Sequence, residues 1–304
     1  MNKRFLLLTL ILGLMLLPLT VAAQTHDGTL GAAASHKAPG DTVFAFDVGT
    51  AVTDTQCLGV EWVSPYLYVT GGATATDPNK LYVLDTTGTL VGTYDQTSAA
   101  GWGWRDMAYD GSYLYASDDA TIEYFDFTAV VAGTINGPDN PNRALAYDPD
   151  TDHFWTGNFS NNIQEFDRTG AVINTFAQAN SVYGMAWDNL SEDGPWLWVT
   201  DQNTQTILQF DPVAGTFTGV SYAIPLTGTY GTAGGLTVGI WSTVDADVPV
   251  LIVLNQEEPS DYIYGIELDA CGSGCLKNSG SIFGMLIMII LSWRSIRSSL
   301  RNVL

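Results

Sequence analysis

Short apolar runs alternate with turn residues along this chain, and three kinds of run recur in the same order. The first ends in an aromatic residue, as at residues 183–187 (YGMAW). The second ends in a small or polar residue, as at residues 197–201 (LWVTD), and the third ends in Asp, as at residues 207–211 (ILQFD). Apolar and polar positions alternate within these runs, which predicts β-strands rather than helices.

The three-strand unit occurs five times, and its spacing indicates the architecture. In the first four units the closing Asp residues are 41, 41 and 44 positions apart. This repeat length is typical of a four-stranded propeller blade, and a β-sandwich would not require a repeated unit. A weaker fourth strand follows the unit at residues 90–94, 172–176 and 216–220.

The fifth unit lacks a fourth strand, whereas residues 43–47 form an additional strand before the first unit. Pairing of this strand with the last blade would remove an open sheet edge. The sequence therefore predicts an all-β fold, a propeller of five four-stranded blades over residues 41–270, closed by an N-terminal strand. A six-bladed ring is the alternative.

The repeated units resemble those of secreted bacterial propellers with NHL-like and YVTN-like repeats. The resemblance is carried by residues 183–187, 197–201 and 207–212, and by the matching residues of the other units. It implies the fold and leaves the activity open, because such propellers include binding proteins, scaffolds, lyases and lactonases.

The N-terminal segment has the pattern of an export signal. Lys3 and Arg4 precede an apolar run over residues 5–19, and small residues precede a cleavage point after Ala23. This arrangement predicts a signal peptide over residues 1–23. Residues 24–40 show no apolar pattern and are predicted to be a flexible leader.

A second targeting segment is predicted over residues 271–304, where a Cys/Gly motif precedes a short apolar run and an arginine cluster. It resembles the three-part sorting signals of bacterial surface proteins, which implies processing by an envelope protease or transpeptidase. A simple tail anchor with a transmembrane helix is the alternative. Either interpretation predicts a secreted or cell-surface protein. The residues that carry the motif are Cys271, Cys275, Arg294, Arg297 and Arg301.

The charge distribution narrows the range of partners. The chain has 32 acidic and 11 basic residues, a formal net charge of −21, and all acidic residues lie between the two terminal segments. Such a surface repels phosphate backbones, so nucleic-acid binding is not expected. Cys57 is the one cysteine of the propeller region and is expected to be a buried apolar residue.

Loops that enter the first strands, and loops that join second to third strands, are expected on one face of the propeller. Exposed aromatic and arginine side chains anchor interfaces, so this face is the candidate ligand-binding surface. We therefore expect a non-catalytic binding or adhesion module that recognises an extracellular glycan or protein. The residues assigned to the surface are Trp102, Trp104, Arg105, Asp106, Asn142, Arg143, Asn161, Tyr183, Asn203 and Tyr230.

The alternative function is a metal-dependent hydrolase or lactonase of the central channel. Glu61 and Asp106 lie in or just before first strands, where the lactonase-like propellers place a divalent metal. No cofactor is expected otherwise, although calcium is an alternative. Asp148, Asp150 and Asp152 alternate as in a calcium loop, but no downstream Gly and Glu follow, and a hairpin turn is favoured.

Overall fold

The computed structural model contains five four-stranded antiparallel sheets, arranged as the blades of a β-propeller. It describes residues 38–72, 78–98, 101–191, 193–229, 231–242 and 247–268. The predicted signal peptide, most of the leader and the C-terminal sorting segment lie outside these residues. Within the described ranges, no helix has the length and apolar character needed to cross a membrane.

Each blade is built from strands that follow one another in sequence. The first blade comprises β2 (Cys57–Val63), β3 (Tyr66–Gly71), β4 (Lys80–Leu84) and β5 (Leu90–Asp95). The second comprises β6 (Met107–Tyr109), β7 (Leu114–Ser117), β8 (Thr121–Phe125) and β9 (Val131–Asn136). The third comprises β10 (Ala144–Asp148), β11 (His153–Gly157), β12 (Ile163–Phe166) and β13 (Val172–Phe176). The fourth comprises β14 (Val182–Asp188), β15 (Trp196–Asp201), β16 (Thr206–Asp211) and β17 (Thr216–Ala223).

The fifth blade joins the two ends of the propeller chain. It comprises β18 (Gly231–Ser242), β19 (Asp247–Glu257), β20 (Tyr262–Glu267) and, as its outer strand, β1 (Thr42–Asp47). Strand β1 runs antiparallel to β20, with Ala45 opposite Tyr264. The predicted closure by an N-terminal strand is therefore confirmed, and the ring has five blades rather than six.

Two elements of the structure were not predicted. Strand β9 supplies the fourth strand of the second blade, where the sequence pattern is weak because Gly133 interrupts it. A short helix α1 (Val48–Val52) follows β1, and the Asp47 side chain accepts the Thr50 N–H at its start at 2.9 Å. This helix turns the chain from the outer edge of the fifth blade towards the first strand of the first blade.

Candidate active site

A central channel is surrounded by the first strands of the five blades, which are β2, β6, β10, β14 and β18. Asp106 lies in the middle of this channel and bridges several of these strands. The Asp106 carboxylate accepts peptide N–H groups from Leu145 at 3.1 Å, Met185 at 2.7 Å and Leu236 at 3.1 Å, and also that of Met107. Burial raises the pKa of Asp106, while the four N–H groups favour its ionised form. One side chain thus joins four blades.

Asp106, a predicted candidate metal ligand, is placed by the structure against main-chain donors. A carboxylate has about four lone-pair sites, and four peptide N–H groups use them. In the part of the chain that the structure describes, no three His, Cys, Asp or Glu side chains are grouped so as to hold a metal ion.

Asp148 accepts the Asp150 N–H at 2.9 Å and the Thr151 hydroxyl at 2.7 Å, which confirms the hairpin turn between β10 and β11.

Below Asp106 the channel widens into a pocket of about 300 Å³. The pocket exists because of the side chains at two equivalent positions of the five first strands. One position carries Glu61 in β2, whereas the other blades contribute only small side chains: Ala108, Ala146, Ala186 and Thr237. The next position carries large residues that form the walls: Trp62, Tyr109, Tyr147, Trp187 and Val238.

Glu61 is a buried ionisable side chain that lines this pocket. It is 9% exposed, and its Oε1 accepts the Thr237 hydroxyl at 2.7 Å. Burial raises the pKa of Glu61 well above its ordinary value, and the nearby Asp106 charge raises it further. The carboxyl therefore keeps its proton at pH values at which an exposed glutamic acid has lost it, and it can act as a general acid.

Two further polar groups lie in residues that line the pocket. The Nε1–H of Trp187 is buried and has no hydrogen-bond partner among the described residues. Asp110 pairs with Arg168 at 2.9 Å and accepts the Tyr115 hydroxyl at 2.8 Å, so its charge is compensated. A buried acid and aromatic walls in one concave site are typical of a catalytic pocket.

Four residues of the predicted ligand-binding surface are buried: Asp106 at the channel, Tyr183 near the two arginines, and two that pack elsewhere in the fold, Trp104 and Asn142. Trp104 is 0% exposed, stacks on Phe125 with ring centroids 3.9 Å apart, and donates from Nε1 to Glu123 at 2.8 Å. Asn142 is also 0% exposed, and its amide donates to main-chain carbonyls of the preceding blade. The expectation that these two side chains contact a ligand is corrected, because both are held inside the fold.

The structure brings Arg105, Arg143 and Tyr183 together at the end of the channel opposite the pocket. These residues occupy equivalent positions just before or within three consecutive first strands, and both arginines interact with the Tyr183 hydroxyl. The other members of the predicted surface are spread over separate loops. Trp102, Asn161 and Asn203 are exposed, and Tyr230 lies outside the described residues.

The pocket walls were not predicted as functional residues, although a sequence signal marks them. In three units an alanine directly precedes the aromatic end of the first strand, as in Ala108–Tyr109 and Ala186–Trp187. The first unit has Glu61–Trp62 in the same register. A single carboxyl among small residues at an inward position indicates a cavity with an acid in it.

Comparisons with known proteins support the fold. No protein-family model matches the chain, and no curated protein sequence is similar to it. Among solved structures, the chain is similar to the glutaminyl cyclase of Myxococcus xanthus, with 11% sequence identity and a TM-score of 0.56, over 76% of this chain and 97% of that one. At this identity the similarity shows a shared propeller fold.

The expectation of a non-catalytic binding or adhesion module is corrected by this comparison. A solved propeller that matches most of this chain is a glutaminyl cyclase, so a propeller fold is in itself no ground for expecting a non-catalytic protein. Function must therefore be derived from the chemistry of the site.

Proposed function

We propose that the protein is an enzyme whose active site is the central-channel pocket, and that it catalyses acyl transfer at the amide or ester carbonyl of a small substrate. The observation that carries this proposal is Glu61, a buried carboxyl of raised pKa that lines an aromatic-walled pocket. Ionisable groups with strongly perturbed pKa values, located in clefts, are concentrated at catalytic sites.

The proton of Glu61 defines the chemical step. The neutral carboxyl donates its proton to the leaving nitrogen or oxygen as the carbonyl carbon–heteroatom bond breaks. The resulting carboxylate takes the proton of the attacking group, which is water or an amine of the same substrate molecule. One proton therefore passes from nucleophile to leaving group, and Glu61 ends the cycle protonated. General acid–base catalysis of this kind contributes about 10²–10⁴-fold to a rate.

Neighbouring side chains can orient the reaction. The Thr237 hydroxyl, 2.7 Å from Glu61 Oε1, is a positioning residue that holds the carboxyl in one orientation. We assign the Trp187 ring, which lines the pocket, to packing against the substrate. The acidic protein surface favours substrates that are neutral or cationic.

The substrate to be tested first is a short peptide with an N-terminal glutamine. Its N-terminal amine is a cation when protonated, which suits aromatic walls, and in its neutral form the amine attacks the side-chain amide with release of ammonia. The similar propeller is a glutaminyl cyclase, which supports the inclusion of this substrate. A γ-lactone is the second, since an ester bond requires the same proton transfer.

The experiment measures ammonia release from the peptide and acid release from the lactone with the full-length chain. Glu61→Gln removes the transferable proton and preserves the shape, and we expect a loss of about 100-fold or more. Glu258→Gln changes an exposed carboxyl and should leave the activity intact. Equal activity of the two variants would contradict the role of Glu61. Absence of turnover of either compound by the wild-type protein would reject the proposed reaction class.

A further inference from the structure

Arg105 and Arg143 form a cluster of positive charge for which the described part of the protein supplies no carboxylate. The other basic side chains in that part are paired: Lys80 with Asp95, and Arg168 with Asp110 and Asp152. Arg105 and Arg143 have no ion-pair partner among the described residues. The chain has 32 acidic residues, so two neighbouring arginines without a carboxylate partner are unexpected and call for an explanation.

The surroundings of the two arginines are aromatic and neutral. The Arg143 guanidinium lies 4.0 Å from the ring centroid of Phe159 and 5.1 Å from that of Tyr183. Its Nε donates to the Asn158 side chain at 3.0 Å. The Nε–H of Arg105 is buried and has no hydrogen-bond partner among the described residues.

Electrostatics makes this cluster unfavourable without a ligand. Burial lowers the pKa of Arg143, and the positive charge of Arg105 lowers it further. Two like charges that are partly removed from water are stabilised when an anion lies between them. A buried N–H without a partner also loses free energy until an acceptor reaches it.

Phe159 provides an independent indication of a binding site. Its backbone has φ of 48°, a conformation that is rare for a bulky residue and is found at ligand clamps. Two main-chain hydrogen bonds with Val182, at 2.8 and 3.1 Å, hold it there. Phe159 is nevertheless 39% exposed, so the fold keeps an aromatic residue with a strained backbone at the surface, against Arg143.

We propose that Arg105 and Arg143 form a binding site for a small organic carboxylate, whose carbon skeleton packs on the Phe159 ring. Planar guanidinium groups match a carboxylate through paired N–H···O bonds. The aromatic wall favours an organic acid over inorganic phosphate, which has no apolar part to bury. Asp106 separates this carboxylate site from the Glu61 pocket, so the inference goes beyond the proposed enzymatic function and its failure would leave that function unaffected.

The test is calorimetric titration of the full-length protein with benzoate, benzamide and inorganic phosphate. Benzoate is expected to bind, and benzamide, which has the same ring without the charge, is not. Arg105→Gln and Arg143→Gln should each weaken benzoate binding by about tenfold or more. Lys80→Gln, which removes a cation at a surface ion pair, should not weaken it. Unchanged affinity in both arginine variants, or preferential binding of phosphate, would overturn the proposal.

A second measurement on the wild-type protein does not depend on the folding of variants. Phenylglyoxal modifies arginine side chains, and peptide mass mapping locates the modification. Benzoate should protect Arg105 and Arg143, while benzamide should not. Arg168 is the internal control because its guanidinium is already bound by Asp110 and Asp152. Modification of Arg105 and Arg143 at the same rate with and without benzoate would contradict the carboxylate site.

Discussion

The backbone N–H of Met185 donates to Oδ2 of Asp106 at 2.7 Å, although the two residues are 79 positions apart in the sequence. The same carboxylate accepts N–H groups from Leu145 and Leu236. Short strands of separate blades are therefore held in register by one side chain at the centre of the ring. Because the carboxylate uses all its acceptor sites, its contribution is to the fold rather than to catalysis.

We expect Asp106→Asn to destabilise the protein strongly. The amide has one acceptor oxygen for four peptide N–H groups, and its own NH₂ would face one of them. Buried donors that lose their acceptor cost about 1–3 kcal/mol each, so a loss of about 3 kcal/mol or more is expected. Urea denaturation measures it. Asp95→Asn, at a carboxylate whose side chain is 65% exposed, should cost less than about 1 kcal/mol. Similar losses in the two variants would contradict the central role of Asp106.

Two neighbouring tryptophans should differ sharply in their contribution to stability. Trp104→Ala removes a fully buried ring that stacks on Phe125, and such truncations cost about 3–5 kcal/mol. Trp102 is 47% exposed, so Trp102→Ala should change stability by no more than about 0.5 kcal/mol. Thermal unfolding followed by circular dichroism compares the variants. A melting temperature of Trp104→Ala within a few degrees of that of Trp102→Ala would show that the Trp104 side chain is not part of the hydrophobic core.

Asp261 should make stability depend on pH. It accepts the Cys57 N–H at 2.8 Å, and burial, with the charge of Asp54, raises its pKa from 3.8 to about 7. The folded state therefore binds this proton more tightly than the unfolded state. The associated stabilisation is complete below the unfolded pKa near 3.8 and is lost as pH rises through about 7.

The measurement is the melting temperature of Asp261→Asn relative to wild type between pH 4 and pH 8. The variant keeps a neutral side chain at every pH, so its melting temperature should rise relative to that of the wild type as pH increases. Asp150→Asn, at an exposed turn position, serves as the matched control and should show no such trend. A difference that stays constant over this range would contradict the raised pKa of Asp261.

The repeat made the blades predictable, since each unit combines strand alternation with a closing Asp, as at Asp167 and Asp211. Strand β9 was missed because Gly133 lies against the Tyr124 ring, a contact between neighbouring strands that a local pattern does not contain. The burial of Trp104 was missed for the same reason. Its partner Phe125 lies 21 positions away, and nothing in the local sequence distinguishes it from Trp102.

The candidate site was predictable only in part. Glu61 was identified as a channel residue, but its environment depends on Ala108, Ala146 and Ala186, which are contributed by three other blades. The raised pKa follows from this three-dimensional enclosure. The proximity of Arg105 and Arg143 is more readily inferred, because they occupy equivalent positions in adjacent blades and a propeller places equivalent positions side by side.

Ring closure depends on a close approach between Phe44 in β1 and Gly265 in β20. A methyl group at position 265 would overlap the Phe44 ring, and that ring is stacked on Trp241 with centroids 4.0 Å apart. The Phe44 side chain therefore cannot move aside without losing its contact with Trp241. Glycine is required at this position by the contact between the strands rather than by backbone conformation.

Gly265→Ala should weaken the pairing of β1 with β20, lower the melting temperature and promote aggregation through the exposed edge of β20. Phe44→Ala removes the ring and costs stability on its own, but it also removes the obstacle to a methyl group. We therefore expect the double variant to be about as stable as Phe44→Ala alone, a coupling typical of residues in contact. Gly101→Ala, where no atom lies within 4 Å of the added methyl, is the control. Strict additivity of the two losses would show that the contact does not close the ring.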